Sequence, residues 1–277
     1  MKYANLHLHS NRSDGSLSPT QLVRIGKSFG YRALALTDHE TDGGVPVFQA
    51  CAEAEGGIDT VPGIEFYGMH EGVNLHLVAL DYDMDNPILR ALVQERCEKR
   101  YDATRGRVKL GIEKGYIEGV TWEDIERFAP KGSWICFAHV ARAYDILSIP
   151  IPSDLNQNVF KSPEAQAFAV ETPSAERVIK AVRAAGGIIG LAHPNDRTHF
   201  VPALVDMGLN GIEISHPKLR EDTIELALEM SKKYNLYHCG GTDHTGPMSC
   251  VPGDYARFVE NGISEEDFRI LKERRLG

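Results

Sequence analysis

The chain has 277 residues, 42% hydrophobic and 25% charged, which is ordinary for a globular protein with a sizeable buried core. No stretch approaches the roughly 18 apolar residues of a membrane span, so no membrane partner is expected. A formal net charge of -9 speaks against a general nucleic-acid binder, which carries a basic face, but admits a small anionic substrate met by bound cations.

The length suits one large α/β domain with a modest insertion. The N-terminus MKYANLHLHS has no apolar signal region, and the cysteines (Cys51, Cys97, Cys136, Cys239, Cys250) are scattered without a C-x-x-C pair. A reducing, cytoplasmic setting is therefore expected, with neither a disulfide framework nor a thiolate zinc site.

In chain order, the run YANLHLH precedes an amphipathic helix from about Ser18 to Gly30, where Ser18 caps and Pro19 opens the first turn. The run ALALTDH and a helix from about Val45 to Glu55 follow, then the runs IDTVPGIEF and NLHLVALDY. Short apolar runs separated by helix-length segments predict β-α units on a largely parallel sheet. Between 86 and 171 the text turns charged and helical, with a polar, proline-containing stretch, and reads as an inserted helical subdomain. Residues 1–85 and 172–277 form the barrel in this reading, because from Ser174 the β-α rhythm returns through GIIGLAHP, GLNGIEISHP and LYHCGGTDH.

His7 and His9, His39, Glu65, His193, His216, Asp243 and His244 fall at or just past strand ends, which converge on one face of a β/α barrel. His76 lies inside its strand. His7 and His9 are two apart, so on an extended segment both imidazoles point the same way and can reach one metal; the bland alternative is a polar strand face. Asp14 stands in a Ser-Asp-Gly-Ser turn that can fold back toward them, or serve as a loop cap. Asp38 and His39 close an apolar run and are poorly explained by packing. Glu65, within VPGIEF, is a carboxylate in a buried strand, and burial without a partner costs several kcal/mol. His76 and His193 have apolar neighbours, where the choice is between a hydrogen-bonded core histidine and a neutral ligand.

Imidazole and carboxylate without thiolate suit zinc, manganese or iron, and a shared carboxylate suits two or three ions a few ångströms apart. Such a centre supplies hydroxide near neutral pH and neutralises phosphate charge, so no covalent nucleophile is required, and no G-x-S-x-G element is present.

The segments HLHSNRSDGSLSP, ALTDHET, VPGIEF, NLHLVALDY, AAGGIIGLAHP and GIEISHP, in this order, closely resemble the polymerase-and-histidinol-phosphatase (PHP) family, from Leu6 to His244. The likeness is strongest to its small phosphoesterase branch, whose inserted subdomain carries H-x-A-R, here His139-Val140-Ala141-Arg142. The resemblance implies a distorted (β/α)7 barrel and two or three divalent ions (Mn, Fe or Zn). It assigns His7, His9, Glu65 and Asp243 to one ion, Glu65, His76 and His193 to a second, and Asp14, His39 and His244 to a third, with Glu65 as bridge. Relatives act on nucleoside 3',5'-bisphosphates, short oligonucleotide ends or cyclic sugar phosphates, by metal-bridged hydroxide attack on phosphorus. The catalytic set is then Glu65, Asp243 and His244, with Asp243 or a nearby histidine protonating the leaving oxygen.

In the family Asp and His of the last motif are separated by one residue, whereas Asp243 and His244 are adjacent, so either the turn after Gly241 is irregular or His244 does not ligate. Family members that cleave histidinol phosphate tend to carry His in place of Asp14, which disfavours that activity. His139 and Arg142 are candidates for the substrate phosphate, since arginine binds phosphate bidentately, and His216 and Lys218 for the same phosphate or a second one. His70, His199 and His238 are read as surface or packing residues, and Trp122 and Trp134 as core of the insertion. The competing readings are an exonuclease on short oligonucleotides, a carbon-nitrogen hydrolase of the amidohydrolase kind, and a non-catalytic metal-binding module. A small phosphorylated substrate, possibly a nucleotide, is preferred to long nucleic acid, whose binding depends on many phosphate contacts.

Overall fold

The computed structural model describes residues 2–246 and 260–274. Seven strands lie in chain order in one sheet: β1 (Ala4–Asn5), β2 (Ala33–Leu36), β3 (Asp59–His70), β4 (Val73–Leu80), β5 (Ile188–Leu191), β6 (Gly211–Ser215) and β7 (Tyr237–Gly240). The sheet curls until the chain after β1 meets the chain after β7. Leu6 N donates to the Gly240 carbonyl at 3.0 Å, Asp243 N to His7 O at 3.0 Å, and His9 N to His244 O at 3.0 Å, which makes a nearly closed barrel.

The sheet is largely parallel as expected, from β1 to β3 and from β5 to β7, but β4 runs antiparallel to both its neighbours. The cause is local. Glu71 and Gly72 both take positive φ (46° and 77°), the two-residue turn that matches strand twist and joins β3 to β4 as a hairpin. The hairpin also extends β3 to His70, so Glu65 lies within its strand rather than at the end.

Helix α1 (Pro19–Ser28) starts where expected, with Ser18 and Gln21 in a reciprocal capping box, and α2 spans Val45–Glu55. Leu6, Ala33, Ala35, Val61, Val78, Leu80, Ile188 and Cys239 fill the barrel and pack against Ile263, Phe268 and Leu271 near the C-terminus, the last two on a helix over Glu265–Lys272. That apolar plug leaves the polar side chains to the rim after the strands.

Between β4 and β5 the chain forms α3 (Pro87–Glu113), α4 (Trp122–Phe128), α5 (Phe137–Ile146) and α6 (Leu155–Phe160), then α7 (Ala175–Ala184). Asn86 caps α3 by accepting from Ile88 N and Leu89 N. The first half of α3 packs Leu89, Leu92 and Val93 on the barrel, while Val108 joins Trp122, Ile125, Ile135, Val140, Tyr144, Leu155 and Val159 in a separate apolar cluster. Cys51, Cys97, Cys136 and Cys239 are free thiols, and Cys250 lies outside the described residues. Among the described residues no helix is long and apolar enough to cross a membrane.

Candidate metal centre

The closing segments determine where the first ligands point. Leu8 pairs with His244 across the barrel seam and both Leu6 and Leu8 are buried, which turns His7 and His9 together toward the rim. Gly241 permits the approach, since a Cβ there would lie 2.4 Å from His7 N. Asp243 takes φ 49° and His193 φ 28°, left-handed conformations that cost non-glycine residues about 1–3 kcal/mol and that cluster at functional sites. The turn after Gly241 is thus irregular, and Asp243 does not follow the alternation of an extended strand.

Glu65 is buried at the centre. Its Oε1 lies 2.8 Å from His76 Nδ1 and 3.2 Å from His193 Nε2. Its Oε2 lies 3.1 Å from His39 Nδ1, 3.3 Å from His9 Nε2 and 3.4 Å from His7 Nε2. One carboxylate therefore faces two separate imidazole groups, one on each oxygen. Asp243 Oδ1 approaches His9 at 3.2 Å and His7 at 3.7 Å. Among the described residues, the groups close enough to share an ion are His7, His9 and Asp243; His7, Glu213 and His216; His9, His39 and Glu65; and Glu65, His76 and His193. Asp14, at the mouth, stands 3.6 Å from His9 and 3.7 Å from His39 but belongs to none of these, and neither does His244, which is fully buried.

The electrostatics favour a positive charge at the centre. Burial pushes the Glu65 carboxyl up, but His39, His7 and His76 outweigh it and hold it well below its ordinary value. Asp243 behaves alike, with His216 and His9 overcoming its burial. Burial lowers His7, yet Glu213 and Glu65 raise it overall, while desolvation dominates at His39 and lowers it to about 4. Protons on His7 and His9 are the charge that balances these carboxylates without cations. Divalent ions fit the same place: the donors are imidazole and carboxylate, and among the described residues the buried Nδ1 of His9 has no hydrogen-bond partner.

One buried acid, Glu213, escaped the sequence reading, while Asp38, flagged there as poorly explained by packing, finds its partners in the loop after His9. Glu213 accepts from His7 Nδ1 at 2.7 Å and from His193 N at 2.6 Å, so it orients one imidazole and the backbone of another. The reasoning that singled out Glu65, a carboxylate in a buried strand, applies equally to Glu213 in GIEIS. Asp38 accepts from Ser10 N at 2.7 Å and from the hydroxyls of Ser10 and Ser13 at 2.6 Å each, which shapes the loop after His9.

The expected phosphate-binding side chains hold protein groups. His139 Nε2 lies 3.2 Å from Asn11 O, Arg142 donates to Asn11 O at 3.3 Å and Gly15 O at 2.5 Å, and the Cys136 thiol reaches Ser13 O at 3.6 Å. Helix α5 thereby grips the carbonyls on both sides of Asp14. Lys218 donates to Asp243 Oδ2 at 2.6 Å, and His216 Nε2 lies 3.2 Å from the same oxygen. Trp122 is in the apolar cluster of the insertion as expected, but Trp134 is not: its ring lies 5.5 Å from His39 and 5.9 Å from Tyr67. Among the histidines outside the motifs, His70 packs edge-on to Phe200, His199 against the same ring, and His238 bonds Asp267 and Ser231.

A nearly closed seven-stranded α/β barrel with a carboxylate shared between imidazole groups at its rim defines a metal-dependent phosphoesterase. The PHP domain profile matches residues 5–170, and the chain belongs to that family. It is 29% identical over 257 residues to phosphoribosyl 1,2-cyclic phosphate 1,2-diphosphodiesterase of Eggerthella lenta, covering 90% of this chain and 96% of the relative. It is 31% identical over 268 residues to a 5'-3' exoribonuclease of Haemophilus influenzae, covering 90% and 92%. In fold it matches a protein of Bifidobacterium adolescentis described as a metal-dependent phosphoesterase, with a TM-score of 0.81 at 24% identity over 99% of this chain and 96% of the other.

Proposed function

We propose that the protein hydrolyses a small phosphate ester, either a cyclic phosphate of a sugar or nucleotide or a nucleoside 3',5'-bisphosphate. The reading places two or three divalent ions, manganese, iron or zinc, among His7, His9, Asp14, His39, Glu65, His76, His193, Asp243 and His244. The observation that carries it is Glu65, whose two oxygens each face a different pair or trio of imidazoles. Ions held there supply the charge that neutralises phosphate oxygens and the acidity that makes water a nucleophile at neutral pH.

The protein's own groups have separable tasks. Glu65 and Asp243 are held ionised and act as ligands. Asp243 or a nearby histidine protonates the leaving oxygen in this reading, and His216 stands 3.2 Å from Asp243. Lys218, kept cationic by Asp243 despite its partial burial, and His216 stand beside it to meet a phosphate oxygen or the leaving group. His139 and Arg142, the candidates for the substrate phosphate, also place the Asp14 loop. The insertion, 86–171, serves as a cap that brings α5 and Trp134 to the rim.

Cleavage of short oligonucleotides is the second reading, favoured by the likeness to an exoribonuclease. A net charge of -9 favours the small substrate, since long nucleic acid requires many phosphate contacts. Phosphate or nucleotide release by manganese-loaded protein, across cyclic phosphates, nucleoside bisphosphates and short oligonucleotides, tests the choice. Turnover of one class, abolished by chelator and by the His7→Asn, His9→Asn double variant, is the expected result. Binding of metal with no turnover of any class would overturn it.

A further inference from the structure

Helix α3 brings Arg100 to the edge of the ligand cluster. Its guanidinium carbon lies 4.3 Å from the centre of the Trp134 ring, and Tyr67, next to Trp134, stacks on His39 at 5.0 Å and 14°. One aromatic ring thus separates Arg100 from a candidate metal ligand. Among the described residues no hydrogen bond or ion pair reaches its guanidinium, and its Nε is buried without a partner. The indole N–H of Trp134 is buried without a partner too.

The contrast with Arg96, one turn earlier, is informative. Arg96 is buried, pairs with Glu40 and donates to Glu171 O at 2.6 Å. Glu40 is fully committed, since its other oxygen accepts from Tyr67 N at 2.9 Å. Arg100 therefore presents a planar fork of donors in a half-buried place, with an aromatic face against it and only a share in the charge of Glu40. Two guanidiniums thus share the one carboxylate of Glu40, and the fork of Arg100, which makes no hydrogen bond to it, matches phosphate oxygens.

We propose that Arg100 and the indole N–H of Trp134 form an anion subsite beside the metal centre, which takes a second phosphate group of the substrate. The proposal rests on the phosphoesterase reading and narrows it to substrates with two phosphate groups, one cleaved at the rim and one held here. Tyr67 and Trp134 are the wall between the two positions.

Calorimetric titration of the manganese-loaded, full-length protein with the non-hydrolysable phosphonate analogues of adenosine 3',5'-bisphosphate and of adenosine 3'-monophosphate tests this directly. The wild-type protein should bind the bisphosphate at least about tenfold more tightly, the scale of charged hydrogen bonds. Arg100→Met should weaken the bisphosphate by about ten- to a hundredfold and leave the monophosphate within about twofold. Arg100→Lys, which keeps the charge and loses the fork, should recover part of the loss. Equal weakening of both ligands, or no preference in the wild-type protein, would overturn the subsite. Turnover of the two parent phosphates by the same manganese-loaded protein reports on the phosphoesterase reading separately, so failure of one is not mistaken for failure of the other.

Discussion

Glu65→Gln keeps the shape of the central side chain while removing its charge and converting one oxygen to an amide. In the folded protein each oxygen serves a different imidazole group, at 2.8 and 3.2 Å on one side and 3.1, 3.3 and 3.4 Å on the other. Whichever way the amide turns, both groups lose the charge and one meets an NH2 in place of an oxygen. Loss of a partner that only supports a ligand costs about 10- to 100-fold in affinity, so loss of a shared ligand should cost at least about 100-fold at one position. At 1.36 kcal/mol per tenfold, that is about 2.7 kcal/mol. Turnover should fall by about 100- to 1000-fold or more, the scale of removing one group that stabilises developing charge. The assay is elemental analysis after dialysis, alongside phosphate release and thermal unfolding with manganese and with chelator. A site filled at a thousand times its Kd stabilises the wild-type fold by about 4 kcal/mol, and a site weakened 100-fold should keep only about 1.4 kcal/mol of that gain. A variant that keeps the wild-type ion count, metal-dependent stabilisation and rate within about threefold would refute the bridging arrangement.

Glu213→Gln leaves every candidate ligand in place but weakens the hold on His7 Nδ1 and His193 N, so metal affinity should drop by about 10- to 100-fold, read by competition with a fluorescent chelator. An unchanged affinity would remove Glu213 from the metal centre. His139 supplies the pH test: burial, then the charge of Arg142, lowers it from 6.5 to about 3, so the folded protein keeps it neutral where the unfolded chain takes up a proton. Its contribution to stability is complete above about pH 6.5 and is lost as pH falls toward 3, reaching about 2 kcal/mol at pH 5. His139→Gln should flatten that part of the pH dependence in denaturant titrations, and an unchanged slope between pH 7 and 5 would exclude the effect.

Much of the centre is legible from local rules. Period two turns His7 and His9 the same way on any extended segment, and a glutamate in a buried run demands a partner wherever that run ends up. Glu213 obeys the same rule and was missed, because its signal is weaker beside the histidines of the neighbouring motif. The reversal of β4 was also written locally, in the two-residue Glu71-Gly72 turn, although the apolar run by itself has no direction.

The side chains of the insertion are a different matter. His139 and Arg142 read as phosphate ligands from their motif, yet they meet carbonyls 127 to 131 residues away, on both sides of Asp14. Trp134 and Arg100 likewise acquire meaning only where α3 and the segment before α5 cross the rim. Residue type and spacing determine which atoms can bind a metal and which way a strand presents them, since both follow from backbone geometry within a few residues. Which polar group each of the others meets was decided by barrel closure and the docking of the insertion, because a hydrogen bond across more than a hundred residues depends on packing that no local period encodes.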